Sequence, residues 1–263
     1  MKNLFLPALI FLFLNHCFGQ QQFQLAPPVL KYHSAFFTNN ATATLQFAQP
    51  GTQIFYTLNN REPTQQDAVY TKPIVINKSL TTLQAKVFGV GFRPSEKVQV
   101  TFIKDGLKIK SIEQPAANEK FPGNGPTTLF DNEGGIADMH HKNFLGYQQD
   151  SVAIQVTLEK KQKVKSMLLD FLQNEASWIF LPQSIRVYYY NANKNAYESI
   201  GEKTIAADSV INGSSMVFEV VKFTQNIHAD HLKIIIEPLQ SMLEGHPGKG
   251  KQAWLFIDEI KIY

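Results

Sequence analysis

A single cysteine, Cys17, is all that the 263 residues contain. It sits inside an N-terminal segment that reads as an export signal, so disulfides are excluded as a source of stability for everything that follows. After that stretch no run approaches the ~20 consecutive apolar residues of a membrane-crossing helix, and no membrane span is expected. Apolar residues nowhere recur at the three-to-four spacing of an amphipathic helix, which excludes helical bundles and barrels of βα repeats. Charge is sparse too, at 18% charged residues and a formal net charge of +3. The densest basic run, Lys160-Lys161-Gln162-Lys163, carries no interleaved aromatics to stack on bases. It reads as a solvated turn, and nucleic acid is not an expected partner.

What is present begins with an export signal. Lys2 supplies a positive start, Leu4 to Leu14 an apolar core, and a short polar stretch closes at Phe18-Gly19. That order predicts cleavage after Gly19 and a bacterial protein that is secreted, periplasmic or held at the cell surface. Lipidation at Cys17 is the weaker reading, because His16 stands where such sites want a small residue.

Beyond the signal the pattern is strand and turn. Thr42 to Phe47, Thr52 to Thr57, Ile74 to Ile76, Thr82 to Phe88 and Val98 to Phe102 alternate apolar and polar side chains between Gly, Pro and Asn punctuation, the signature of a small antiparallel β-sandwich over residues 20–105. From 106 to 263 further strand-length runs follow: Ser151 to Leu158, Lys165 to Leu172, Ser184 to Tyr190, Met216 to Val221, His231 to Glu237 and Ala253 to Tyr263. They predict a larger sandwich or jelly roll, so the fold class is all-β in two modules. Its long loops, 121–149, 173–182 and 238–252, are where binding residues are expected to collect.

Two segments carry family resemblances. Ile54-Phe55-Tyr56-Thr57-Leu58-Asn59-Asn60-Arg61-Glu62-Pro63-Thr64, Tyr70-Thr71-Lys72-Pro73-Ile74 and Thr82-Leu83-Gln84-Ala85 resemble the fibronectin-type-III-associated, or chitobiase C-terminal-like, module. Asn59-Asn60 replace that family's Asp-Gly, and both tolerate the positive φ of a tight turn. Leu129-Phe130-Asp131 with Gly135, Phe144-Leu145-Gly146-Tyr147, Ser177-Trp178-Ile179-Phe180-Leu181-Pro182 and the closing His246 to Ile260 segment resemble the discoidin-type (coagulation factor type C-like, galactose-binding-like) domain. The version meant is the one at the C-terminus of bacterial β-N-acetylhexosaminidases. Those enzymes use an Asp-Glu pair set in a (β/α) barrel, and no βα repeats are present here. Asp258 and Glu259 are adjacent on a strand, which by alternation predicts side chains on opposite faces. No catalytic residue is therefore assigned.

The second resemblance implies a structural Ca²⁺ held by Asp131 from the early loop and Glu259 from the final strand, with backbone carbonyls completing the shell. The same two residues read equally as an ion pair or as solvated carboxylates. For a saccharide the expected platform is Trp178 with Gln173 and Asn174, joined by His246 and Lys249. Trp178 is open between platform and core, whereas Trp254 reads as core. His140-His141 with Asp138 is not expected to hold zinc, since adjacent histidines rarely face one ion. The resemblance implies a secreted, non-catalytic carbohydrate-binding or adhesion protein for N-acetylglucosamine- or galactose-containing glycans. The alternative is a structural or interaction module partnering a separately encoded glycosidase.

Overall fold

The computed structural model describes residues 22–206, 213–242 and 244–263; the expected signal and Cys17 lie outside them. Strict alternation builds the first module. In β3 (Ala41–Gln46), Ala41, Ala43 and Leu45 turn inward while Thr42, Thr44 and Gln46 face out, which leaves one face to bury. That strand lies between β1 (Val29–Lys31) and β6 (Ile74–Ile76). The facing sheet takes the order β2 (Phe36–Phe37), β8 (Val98–Lys104), β7 (Thr81–Gly89), β4 (Thr52–Thr57), β5 (Ala68–Val69). Leu45, Ile54, Ile74, Ile76, Leu83, Val87 and Phe102 meet in one core between the two sheets. All five strands read from the sequence are present here. Asn60 takes φ 61° in the turn where a positive value was expected of it.

The second module is one antiparallel sheet in the order β10 (Leu145–Tyr147), β15 (Leu255–Ile262), β11 (Val152–Gln173), β14 (Ser215–Glu237), β12 (Ser184–Asn191), β13 (Ala196–Thr204), with β9 (Ile109–Glu113) also on β11. The sheet folds over on itself. Ile154 and Val156 from the first half of β11 share a core with Met167, Leu169 and Phe171 from its second half. The four runs read as separate strands in this region are two continuous ones. β11 and β14 stay paired through a register shift between Thr157 and Gln162, so the Lys160-Lys161 run is a bulged part of a strand rather than a turn. Backbone pairing persists there because Glu159 N–H donates to Lys108 O at 3.0 Å.

The modules are joined by close packing, not by a free linker. Phe36 and Ile103 of the first module are buried against Leu168 of β11, with Phe218, Val220 and Tyr263 around them. Gly106 crosses β15 so tightly that a β-carbon on it would stand 2.2 Å from Ile262 O. The loop from Asn132 to Gly135 is pinned to the first module by Ala35 N–H on Gly134 O at 3.2 Å and by the Ser34 hydroxyl on Asn132 O at 2.8 Å.

Candidate functional site

The sequence-predicted residues fall into two places. The first grows from the end of β11. Asn174 caps a short 3₁₀ turn, Glu175–Ser177, its side-chain oxygen accepting Ser177 N–H at 3.2 Å. The turn delivers Trp178 in the left-handed conformation at φ 66°, which costs an L-residue with a bulky side chain about 1–2 kcal/mol. Its backbone is fixed on both sides: Trp178 N–H donates to Glu175 O at 2.9 Å and Trp254 N–H to Trp178 O at 2.8 Å. The indole is half-buried against a small cluster of Phe180, Leu239, Met242 and Ala253, and Lys251 Nζ stands 5.2 Å from its centroid.

His246 closes this surface from below. Gly248 N–H donates to His246 Nδ1 at 3.0 Å, so the proton sits on Nε2, which faces Glu175 O at 3.1 Å. The ring lies edge-on to Phe180 at 5.3 Å and to Trp178 at 6.2 Å. Both of its nitrogens hold loops together, and neither is presented to a ligand. Gln173 is buried, with Nε2 donating to Glu175 Oε1 at 3.0 Å. Lys249 does not join them; its ammonium pairs with Glu244 at 2.6 Å on the exposed rim. The lysine that stands over the indole is Lys251. Trp254 packs on Phe121 at 5.4 Å and on Phe256 at 6.1 Å. A small cavity of about 20 Å³ lies beside Gln173, Phe180 and Leu239, on the order of one water.

The second place is the junction of the 131–135 loop with β15. Core-facing Leu255, Ile257, Ile260 and Ile262 skip one residue after Ile257, because Leu169 pairs with Ile260 but Phe171 with Ile257. Asp258 and Glu259 therefore occupy a β-bulge opposite Asp170, which turns both carboxyls to the same side. This corrects the expectation of opposite faces. Gly135 N–H donates to Asp258 Oδ2 at 3.1 Å, and Asn132 N–H donates to Glu259 Oε1. Asp170, Asp258 and Glu259 are fully buried. Burial, then the neighbouring acids, holds Asp170 well above the usual carboxylate range. Burial does the same to Asp258. Glu259 is pushed up to about 8 by burial, with Lys261 pulling the other way, and Asp131 is raised, burial leading.

The implied calcium does not fit these donors. Asp131 Oδ1 accepts Glu133 N–H at 2.8 Å, Glu259 Oε1 is taken by Asn132, and Lys261 Nζ stands 2.8 Å from Glu259 Oε2. Among the described residues no group of three or more His, Cys, Asp and Glu is disposed to hold a metal ion, and His140 and His141 are exposed. Asp170, Lys261 and Asp105 are participants that the motif reading missed. A lone carboxylate inside Met167-Leu168-Leu169-Asp170-Phe171-Leu172 was the signal available for the first.

An all-β chain of two packed sandwiches is the class these observations define. Residues 33–100 match the family model of the Chitobiase/beta-hexosaminidase C-terminal domain, in agreement with the first resemblance. Among solved structures, the larger antiparallel sandwich is similar in fold to the family 32 carbohydrate-binding module of Streptococcus pneumoniae EndoD, at 13% identity over 60% of this chain and 96% of that one, TM-score 0.38. A chitosan-binding module of a chitosanase/glucanase from Paenibacillus sp. IK-5 gives 13%, 60%, 96% and 0.37. A GH29 fucosidase of Ruminococcus gnavus in complex with fucose gives 13%, 58%, 24% and 0.34, so the chain spans about a quarter of that enzyme. Similarity at this level says nothing of what this chain binds. No curated protein matches the chain.

Proposed function

We propose that this chain is an exported, non-catalytic carbohydrate-binding protein, with the surface around Trp178 as its saccharide platform. The observation that carries the reading is the backbone of Trp178. A bulky residue is held in a costly left-handed conformation by hydrogen bonds from two loops, and the result is a half-exposed indole beside the polar groups of Asn174 and Glu175. The left-handed position caps the turn, and the exposed part of the indole it presents is suited to stacking on the apolar face of a sugar ring. The first module's family match adds a setting among glycan-processing proteins. Lys251 covers one face of the ring, so a bound sugar takes the place of that ammonium or stacks beside it.

A glycan array probed with the chain and with Trp178→Ala tests the proposal. Saturable binding to N-acetylglucosamine- or galactose-containing glycans that the variant loses is the expected result. Absence of binding to every glycan would overturn it. The alternative role as an interaction module for a glycosidase rests on a different surface, an open groove of about 910 Å³ lined by Val29, Phe47, Val69 and Tyr70 on the first module. It predicts co-purification with such an enzyme and no glycan binding.

A further inference from the structure

The junction that the resemblance gives to calcium already contains a positive charge. Lys261 lies two residues beyond Glu259 on β15 and is only 2% exposed. Its ammonium stands 2.7 Å from Asn132 Oδ1, 2.8 Å from Glu259 Oε2 and 3.4 Å from Asp105 Oδ1. An ammonium has three N–H donors and no acceptor, and here three oxygens surround it. They come from the early loop, the last strand and the connection between the modules. On a fourth side the nitrogen stands 5.3 Å from the centre of the Phe36 ring, on the first module.

We propose that the Lys261 ammonium occupies the cation position of this loop-to-strand junction, replaces a metal ion there, and uses its extra partners to lock the two modules together. The ammonium needs a counter-charge, and Asp105 supplies it at 3.4 Å. Asp105, Asp131, Asp258 and Glu259 converge on this volume, and an isolated buried anion is strongly disfavoured unless it is paired or protonated. Burial pushes Asp105 up, yet Lys261, helped by Lys108, holds it below the usual carboxylate range. A divalent ion placed among these donors would face a fixed ammonium within bonding distance of the same oxygens. The two cations are therefore mutually exclusive. Asn132 makes the exchange possible: it sits at φ 64°, where its backbone N–H reaches Glu259 and its side-chain oxygen reaches Lys261. The cation also contacts Asp105 and Phe36, which a metal confined to the loop and the last strand would not.

The test is thermal unfolding of the purified chain in chelator and in millimolar calcium, with metal content measured alongside. The wild-type chain is expected to carry no stoichiometric calcium and to unfold at the same temperature in both. Lys261→Met, which keeps the length and loses the charge, is expected to lower Tm by about 10 °C in either condition. Lys261→Ala, which also empties the space, is expected to regain part of its loss in calcium. Stoichiometric calcium in the wild-type chain, or a fall of several degrees in chelator, would overturn the proposal and is readable even if neither variant folds. A Lys261→Met chain as stable as the wild type would overturn it as well. So would a folded Lys261→Ala chain that calcium leaves unmoved, since the ammonium would then not stand where a cation is wanted.

Discussion

Replacing Asp170 by Asn should make the protein more resistant to alkaline conditions, and the reason is visible in one strand. Asp170 is fully buried between Leu168 and Leu172 on the face of β11 that meets Phe218. Neither carboxyl oxygen makes a hydrogen bond of ordinary geometry to the described residues, and Asp258 and Glu259 lie close enough to repel its charge. Folding therefore requires a proton on a group that gives it up near 3.8 when unfolded. Each unit of pH above that value costs about 1.4 kcal/mol while the native group stays protonated. Native Asp170 binds more protons than unfolded Asp170 throughout this window, so stability falls as pH rises. Between pH 5 and pH 7 the loss reaches at most about 3 kcal/mol, or roughly 6–12 °C in Tm for a chain of this size. Asn has the same shape with no proton to hold. It inherits the poor hydrogen bonding, which shifts its curve by a constant but not its slope. The assay is Tm against pH for both chains, with urea midpoints as a check. The expected result is a difference that grows in favour of Asp170→Asn from pH 5 to pH 7. A variant that is less stable by the same amount or more at pH 7 would refute the reasoning, because the carboxylate would then be ionised and useful in the fold.

Other perturbations probe the remaining junctions. Glu259, with its native value near 8 against 4.5 in the reference state, adds to the same slope, so Glu259→Gln should flatten Tm against pH between those limits; an unchanged profile would contradict its burial as a neutral acid. The two acids share one cluster, so the double variant should lose less slope than the sum of the singles. Gly106→Val places carbon 2.2 Å from Ile262 O and should cost about 1–3 kcal/mol; a melting temperature equal to the wild type would show that the connection does not cross β15 closely. Leu168→Ala opens the buried contact with Phe36 and Ile103 and should cost about 2–5 kcal/mol, with faster proteolysis between the modules; a loss under 1 kcal/mol by urea denaturation would mean that this contact does not form.

The first module was legible because its strands are short and lean on near neighbours. In β3 and β6 one face is apolar and the other polar, and the turns between strands are marked by Gly, Pro and Asn. Sequence alternation and tertiary burial say the same thing there. The long strands of the second module were read as pieces because their exposed centre, Glu159 to Lys161, has the composition of a turn. What keeps it in the sheet is pairing with residues about seventy positions away and with the connection at Lys108, and no local pattern records a distant partner. β13 was missed for a related reason. Only Ile200 and Gly201 of its residues are buried, as befits a strand at the edge of a sheet.

The site divides along the same line. Trp178, Asn174 and His246 were singled out by residue type, and the fold places them near one another, but that Lys251 lies over the indole is a matter of loop conformation that no local pattern records. At the acidic junction the clue was present and was read with the wrong period. Strict alternation applied to Leu-Phe-Ile-Asp-Glu-Ile-Lys-Ile separates Asp258 from Glu259. With Phe256 set aside to a cluster of its own, the apolar residues of the main core fall at 255, 257, 260 and 262, a two-three-two spacing that a regular strand cannot bury on one face. Taken at its word, that spacing demands a bulge, puts both carboxyls on one side, and places Lys261 on that side with them. The charge balance of the junction then follows from the sequence: buried acids gathered around one buried ammonium. Only the Asp170 and Asp105 contributions need the three-dimensional structure, because each arrives from a segment whose register with β15 is set by the fold rather than by its neighbours in the chain.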